Sequence, residues 1–142
     1  MRSADSIETV VFQDGRLYLD PEGPVRAGIV LDNLVAGNLI PPTVGIFVDP
    51  GGNPFPELIS RHPANDVRVF MQTAQRDLNW GQPADNWFAE NLRVAAALDE
   101  AGHDLRLVVG SGGHSPNHGG VLLPDALRWM LSSGAHDAGS VD

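Results

Sequence analysis

Cysteine and lysine are both absent from the 142 residues, so all nine basic residues are arginines. The lack of cysteine excludes disulfides, thiolate zinc sites and cysteine nucleophiles, and it leaves the redox compartment open. Eighteen acidic residues give a formal net charge of -9. Because phosphate backbones and anionic membranes bind clustered cations, we expect neither a nucleic acid nor a membrane as a partner.

Long hydrophobic runs are also missing. No stretch approaches the length of a membrane span, and the first residues lack the apolar core of a secretory signal. We therefore expect a soluble, cytoplasmic protein. With 142 residues, 42% of them hydrophobic, the chain has the size of a single domain, which we place at 1–131. Residues 132–142 are rich in Ser, Gly, Ala and Asp and are expected to form a flexible tail.

Short apolar runs separated by turn residues predict alternating strands and helices. Strands are predicted at 9–13, 43–48, 67–71 and 105–109, the second with the continuous apolar character of a buried parallel strand. Helices are predicted at 24–37, 85–102 and 124–131, the second capped by Asp85 and the third opened by Pro124. Residues 53–66 are expected to form a loop with at most one helical turn. This order predicts an α/β fold with a mostly parallel sheet and flanking helices.

A glycine-rich segment from Gly110 to Ser115 follows the fourth predicted strand and contains His114. A turn of this kind can present an imidazole at the carboxyl edge of a sheet, where ligands of open α/β folds bind. His114 is therefore our candidate for a catalytic base in a loop at the carboxyl ends of the strands. The alternative is an ordinary loop histidine that is hydrogen-bonded to the backbone.

The nucleophile that such a base would activate is missing. A serine nucleophile of an α/β-hydrolase lies on a strand-to-helix elbow with the pattern Gly-x-Ser-x-Gly. No serine of the chain has glycine both two places before and two places after it. Ser111 and Ser115 border His114, but side chains next to a base in a loop usually point away from it, so we interpret both as turn residues.

Asp77 is the candidate for the carboxylate that orients His114, because it follows the third predicted strand. A turn aspartate is the alternative interpretation. Asp85 competes for the same role, but capping of the following helix explains it better. The tryptophans that flank this region, Trp80 and Trp87, could line an acyl or aryl pocket or be ordinary half-buried aromatics.

A metal site of two histidines and a carboxylate was the remaining possibility. His114, His118 and Asp77 would supply it, but Pro116 argues against presenting the two histidines on one helix face. We therefore expect no metal and no cofactor.

Several motifs in order resemble those of one protein family. They are FQDG at 12–15, PVRA at 24–27, VGIFVDPG at 44–51, VFMQ at 69–72, N-x-x-x-AAAL at 91–98, GGHS at 112–115 and PDALRW at 124–129. Together they resemble the esterase branch of the α/β-hydrolases that contains the enterochelin esterases, and they cover nearly the whole chain. The resemblance implies a serine-dependent carboxylic-ester hydrolase, with His114 as the triad histidine and Asp77 as its carboxylate.

The chain departs from that family in its centre. The family carries a nucleophile elbow and further strands between the elements that resemble 43–48 and 67–71, whereas here residues 49–52 run almost directly into 56–59. We therefore expect a truncated α/β-hydrolase-like domain with an internal deletion near 49–57. The strands at 43–48 and 67–71 should then become neighbours, since nothing separates them.

Two functions from different classes follow. The first is an esterase-family protein that acts on a small-molecule ester and is impaired by the loss of its nucleophile. The second is a non-catalytic binding or interaction module derived from an esterase, in which open sheet edges pair two copies into a homodimer. A well-formed connection across 49–57 would favour the module, and a stretched one would favour a damaged product.

Overall fold

The computed structural model describes residues 7–13, 15–48, 55–61 and 67–132. The described strands are β1 (Glu8–Gln13), β2 (Thr43–Val48), β3 (Arg68–Arg76) and β4 (Asp104–Gly113). The described helices are α1 (Gly15–Leu19), α2 (Ala27–Ala36), α3 (Phe55–Ser60), α4 (Trp87–Glu100) and α5 (Pro116–Leu131). Among these described helices, none is both long and apolar enough to cross a membrane.

The strands form two parallel pairs. β1 pairs with β2, from Glu8 opposite Thr43 to Gln13 opposite Val48. β3 pairs with β4, beginning with Arg68 opposite Asp104. The predicted mixture of helices with parallel strands is thus present. The predicted pairing of 43–48 with 67–71 is wrong for the described residues. Each strand pairs instead with the strand to which it is connected through helices, β1 with β2 and β3 with β4.

Helix α5 joins the two pairs. One of its faces is buried with β1 and α2 in a cluster formed by Val10, Phe12, Leu31, Leu34, Leu123, Leu127 and Leu131. The helix also packs on β3, where the rings of Phe70 and Trp129 lie 6.5 Å apart between centroids. The core is therefore built around a helix that contacts both pairs.

The start of α5 corrects the prediction. The helix begins at Pro116, and Pro124 lies inside it. Proline suits the first helical position, where its missing N–H has no partner in any case. Within a helix, Pro124 removes the hydrogen bond to the carbonyl of Gly120, and its ring crowds that carbonyl. Burial of the leucines at 123, 127 and 131 offsets that cost, and the helix continues past Pro124 to Leu131.

The N-terminal end of α4 also differs. The N-cap is Asn86, whose Oδ1 accepts a hydrogen bond from the Ala89 N–H at 3.2 Å. Asp85 has a φ of 59°, a left-handed conformation one residue before the cap, so its assignment as the capping residue was wrong. Gly102, with a φ of 82°, ends the helix as predicted.

Strands β3 and β4 are longer than predicted, since they continue to Arg76 and Gly113. Most of the glycine-rich segment is therefore strand, because glycine retains the backbone groups that a ladder needs. Only His114 and Ser115 connect β4 to α5. His114 thus lies in a short connection at the carboxyl end of β4, as expected.

The other bounds agree unevenly. β2 matches its prediction, whereas α2 begins at Ala27 instead of 24, and α1 and α3 occupy segments that were expected to be loop. Of the predicted junction at 49–57, residues 49–54 lie outside the described part of the chain. Residues 62–66 and the predicted tail at 133–142 also lie outside it. Ser132, assigned to the tail, is described and accepts a hydrogen bond through its carbonyl from Arg68 at 2.9 Å.

One face of the first pair is open. Val10 and Phe12 are buried, whereas the alternating positions Val11, Val44 and Ile46 are exposed. β2 was predicted to be a buried strand, and this is wrong within the described part of the chain. The reason is that strand side chains alternate, and the described helices cover one face of this pair.

Candidate active site

The topology of the second strand pair places Asp77 and His114 together. Asp77 is the first residue after β3, and His114 is the first after β4. In parallel strands the carboxyl ends meet at one edge of the sheet. The register brings Arg76 opposite Gly113, so the two residues that follow are neighbours across the edge.

Asp77 and His114 are hydrogen-bonded. The distance between His114 Nδ1 and Asp77 Oδ1 is 2.7 Å. A carboxylate has no proton to give, so Nδ1 is the donor, and in the neutral form of the imidazole the lone pair lies on Nε2. The side chain of Asp77 is 8% exposed and that of His114 is 49% exposed. The pair thus combines a buried carboxylate with an accessible imidazole.

Further donors hold the Asp77 carboxylate in place. The Leu78 N–H donates to Oδ1 at 2.8 Å, and the Thr73 hydroxyl donates to Oδ2 at 3.3 Å. Thr73 is fully buried on β3, and its hydroxyl accepts a hydrogen bond from Asn91 Nδ2 at 3.0 Å. Asn91 lies on α4, so the network ties the carboxylate to a strand and to a helix.

The backbone turns sharply at Asp77. The register of the β3–β4 ladder shifts between Ala74 and Arg76, and the Asp77 N–H bonds to the Ala74 carbonyl at 3.1 Å. Irregularities of this kind at the end of a strand redirect a side chain. This turn aims the carboxylate toward His114.

Two exposed tryptophans lie between the end of β3 and the start of α4. The ring of Trp87, the first residue of α4, stands edge-on to the His114 ring at 5.5 Å between centroids. The backbone N–H of Trp87 donates to the Leu78 carbonyl at 3.1 Å. The ring of Trp80 lies 5.7 Å from the Arg76 guanidinium. Trp87 therefore supplies an exposed aromatic ring beside His114.

The competing candidates lie apart from this contact. Asp85 is exposed, and its carbonyl accepts a hydrogen bond from Asn79 Nδ2 at 3.1 Å. Ser111 is on β4 and Ser115 is the N-cap residue of α5. Within the described residues neither serine hydroxyl is hydrogen-bonded to His114. The pair thus combines a carboxylate with a base, and in the described part of the chain no hydroxyl is hydrogen-bonded to the His114 ring.

His118 does not share a site with His114. His118 Nδ1 lies 2.7 Å from Gln72 Nε2, on a different network from Asp77. In the described parts of the chain, no group of three histidine, aspartate or glutamate side chains has the arrangement of a metal site.

The sequence patterns did not predict the residues whose side chains contact Asp77 and its neighbours. Thr73 and Gln72 lie just beyond the predicted end of the third strand, and Asn91 is an ordinary polar position of a predicted helix. The signal that could have drawn attention to Asn91 is its place at the head of the N-x-x-x-AAAL motif.

Comparisons of the chain with protein-family models, with curated proteins and with solved structures found no significant match. The resemblance to esterases thus rests on the motifs of the sequence.

Proposed function

We propose that this chain is a serine-esterase-type protein. It keeps the histidine base of a carboxylic-ester hydrolase, His114, and the carboxylate that orients this base, Asp77, but it lacks the serine nucleophile. The observation that supports the proposal is the 2.7 Å contact between Asp77 and His114, which leaves Nε2 as the proton acceptor. The sequence motifs that resemble those of the esterases, taken in their order along the chain, favour the same chemistry. The substrate class is a small-molecule ester.

The proposed chemistry assigns one task to each side chain. Asp77 holds the Nδ1–H of His114, so Nε2 can take a proton from a hydroxyl as that hydroxyl attacks the ester carbonyl. The same proton then goes from Nε2 to the departing alkoxide as the carbon–oxygen bond breaks. Both steps need a hydroxyl next to Nε2.

The missing serine sets the expected rate. Removing the nucleophile of a serine hydrolase lowers turnover on the order of a millionfold. The elbow also supplies one backbone N–H of the oxyanion hole, and this donor is lost with it. We therefore expect the purified chain to hydrolyse a short-chain aryl ester at close to the background rate.

The test combines hydrolysis with a probe of the pair. His114→Ala and Asp77→Asn should leave the small hydrolytic rate almost unchanged, and a serine-directed phosphonate should label no serine. NMR should still detect the low-field Nδ1 proton of His114 in the parent chain, and Asp77→Asn should abolish that signal. Labelling of Ser111 or Ser115 together with a large loss of rate in His114→Ala would refute the proposal of a missing nucleophile. Absence of the low-field proton in the folded parent would refute the retained acid–base pair.

The open face of the first strand pair favours a second candidate, an interaction module that forms a homodimer. Val11, Val44 and Ile46 are exposed there, and within the described chain each strand has a neighbour on one side only. Two-stranded sheets are marginally stable alone, and open edges recruit further strands. An identical edge on a second copy would satisfy them.

Light scattering across a range of protein concentrations tests the dimer. Ile46→Lys should shift the population toward monomer, because a lysine in an open edge strand opposes pairing with a further strand. The matched control is Val121→Lys on α5, which is exposed and lies away from that face. A parent chain that stays monomeric at all concentrations would exclude this candidate.

A further inference from the structure

Two consecutive residues of β3 make polar contacts on opposite sides of the second strand pair. Side chains of a strand alternate between faces, so Gln72 and Thr73 point in opposite directions. Thr73 belongs to the Asp77 network and bonds to Asn91 of α4. Gln72 Nε2 donates to Nδ1 of His118, which is on α5, at 2.7 Å. β3 therefore contacts α4 on one side and α5, the helix after His114, on the other.

We propose that His118 is a positioning residue that, through its contacts with Gln72 and Gly110, fixes the orientation of His114. The inference rests on the proposed function only in that His114 is the base of the site. The polar Gln72–His118 contact is separate from the Asp77 network and is not assigned to proton transfer.

The packing of the His118 ring on Gly110 supports this role. A Cβ on Gly110 would lie 2.4 Å from His118 Cε1 and 2.9 Å from its Nδ1. Real Cβ atoms essentially never approach other atoms so closely. The imidazole therefore occupies the space that any other side chain at position 110 would need, and it fixes the start of α5 against β4.

The position of His114 makes this contact relevant to the site. His114 lies four residues after Gly110 and four residues before His118, so the segment that carries it is anchored at both ends by one contact. The His118 N–H also bonds to the Ser115 carbonyl at 3.3 Å, in the first turn of α5. These contacts limit the movement of the backbone that carries His114, and this backbone position sets the distance from which its ring reaches Asp77.

Variants of Gly110 and His118 test the proposal. Gly110→Ala displaces the imidazole, His118→Ala removes it, and Gln72→Leu removes the amide donor while leaving the ring. The matched control is Gly112→Ala on the same strand, where a Cβ would meet nothing within 4 Å. His118→Asn keeps an acceptor near the place of Nδ1 but loses the rest of the ring, so it should disturb His114 less than His118→Ala does.

The readout is the state of His114, measured without any hydrolysis. The first three variants should broaden the low-field Nδ1 proton of His114 and slow its carbethoxylation at Nε2, because the tautomer with its lone pair on Nε2 is no longer held by Asp77. The decrease should reach up to about tenfold, which corresponds to the free energy of one hydrogen bond. Gly112→Ala should match the parent, and His118→Asn should lie between the parent and His118→Ala. Gly110→Ala combined with His118→Ala should be no worse than His118→Ala alone, since the clash is gone.

Two outcomes would overturn the proposal. One is a parent-like His114 signal and carbethoxylation rate in folded Gly110→Ala and Gln72→Leu, which would reduce the contact to ordinary packing of α5. The other is additive effects in the double variant, which would mean that Gly110 and His118 act separately. If His118→Ala fails to fold, Gly110→Ala and Gln72→Leu still test whether the contact orients His114. A failure of the proposed function would appear in the ester assay and the phosphonate labelling, which are independent of these measurements.

Discussion

Replacing the buried Thr73 by valine tests how the site is held. The substitution keeps the shape of the side chain and removes the hydroxyl, so no cavity forms. The hydroxyl donates to Asp77 Oδ2 at 3.3 Å and accepts from Asn91 Nδ2 at 3.0 Å. Thr73→Val therefore breaks two hydrogen bonds at once and leaves the Asn91 amide without its partner.

The expected loss follows from these contacts. A typical hydrogen bond contributes about 1 kcal/mol net, and one to a charged group contributes about 1.5–3 kcal/mol. The Thr73–Asp77 bond is long for a hydroxyl donor, which places it at the lower end of this range. Asn91 is only half-buried, so water can partly replace its partner. We expect the free energy of unfolding to fall by about 1–2 kcal/mol.

Urea denaturation measures this loss, and NMR follows the low-field proton of His114 in the same samples. Thr9→Val on the exposed side of β1 is the control and should change stability by less than about 0.5 kcal/mol. The reasoning also predicts coupling. In an Asn91→Ala background, Thr73→Val should cost less, because no amide is left unpaired. A Thr73→Val chain as stable as the Thr9→Val control, with an unchanged His114 signal, would refute the network.

Three further substitutions test the packing of α5 and its ends, all by urea denaturation. Leu127→Ala empties a fully buried position and should cost about 2–5 kcal/mol, whereas Val121→Ala on the exposed side should cost less than about 0.5 kcal/mol; equal losses would contradict the buried face. Gly120→Ala should cost about 1–3 kcal/mol, because its Cβ would lie 2.3 Å from the Pro24 carbonyl oxygen, and a neutral result would mean that this close approach is absent. Arg68→Met removes the donors to two carbonyls at the end of α5 and should cost about 1–3 kcal/mol; a fully stable variant would show those bonds to be of no consequence.

The parts of the fold that the sequence predicted well are those with local signals. The bounds of β2 follow from an apolar run that is flanked in the sequence by prolines on one side and by turn-forming residue types on the other. Gly102 marks the end of α4 because glycine adopts a left-handed conformation without strain. The absence of an elbow serine is a property of the sequence alone. In each case the determining residues lie within a few positions of the feature.

The parts that the sequence missed depend on contacts between distant residues. α5 begins eight residues earlier than expected, because burial of its leucines against β1 and α2 outweighs the proline inside it. The end of β4 looks like a turn by composition, yet pairing with β3 extends it to Gly113. The pairing of strands was also mispredicted, since an apolar run does not specify its neighbour.

The sequence by itself determined that His114 follows a strand near a carboxyl edge, that Asp77 follows another, and that no serine stands in an elbow. Only the tertiary structure decided that Asp77 rather than Asp85 meets His114, that Thr73 and Asn91 hold the carboxylate, and that Gln72 reaches His118. The physical reason is separation along the chain. Apart from Thr73 and Asp77, which are four residues apart, these partners lie 18 to 46 residues apart. They meet only because β3 and β4 pair in one register and α4 and α5 pack beside them.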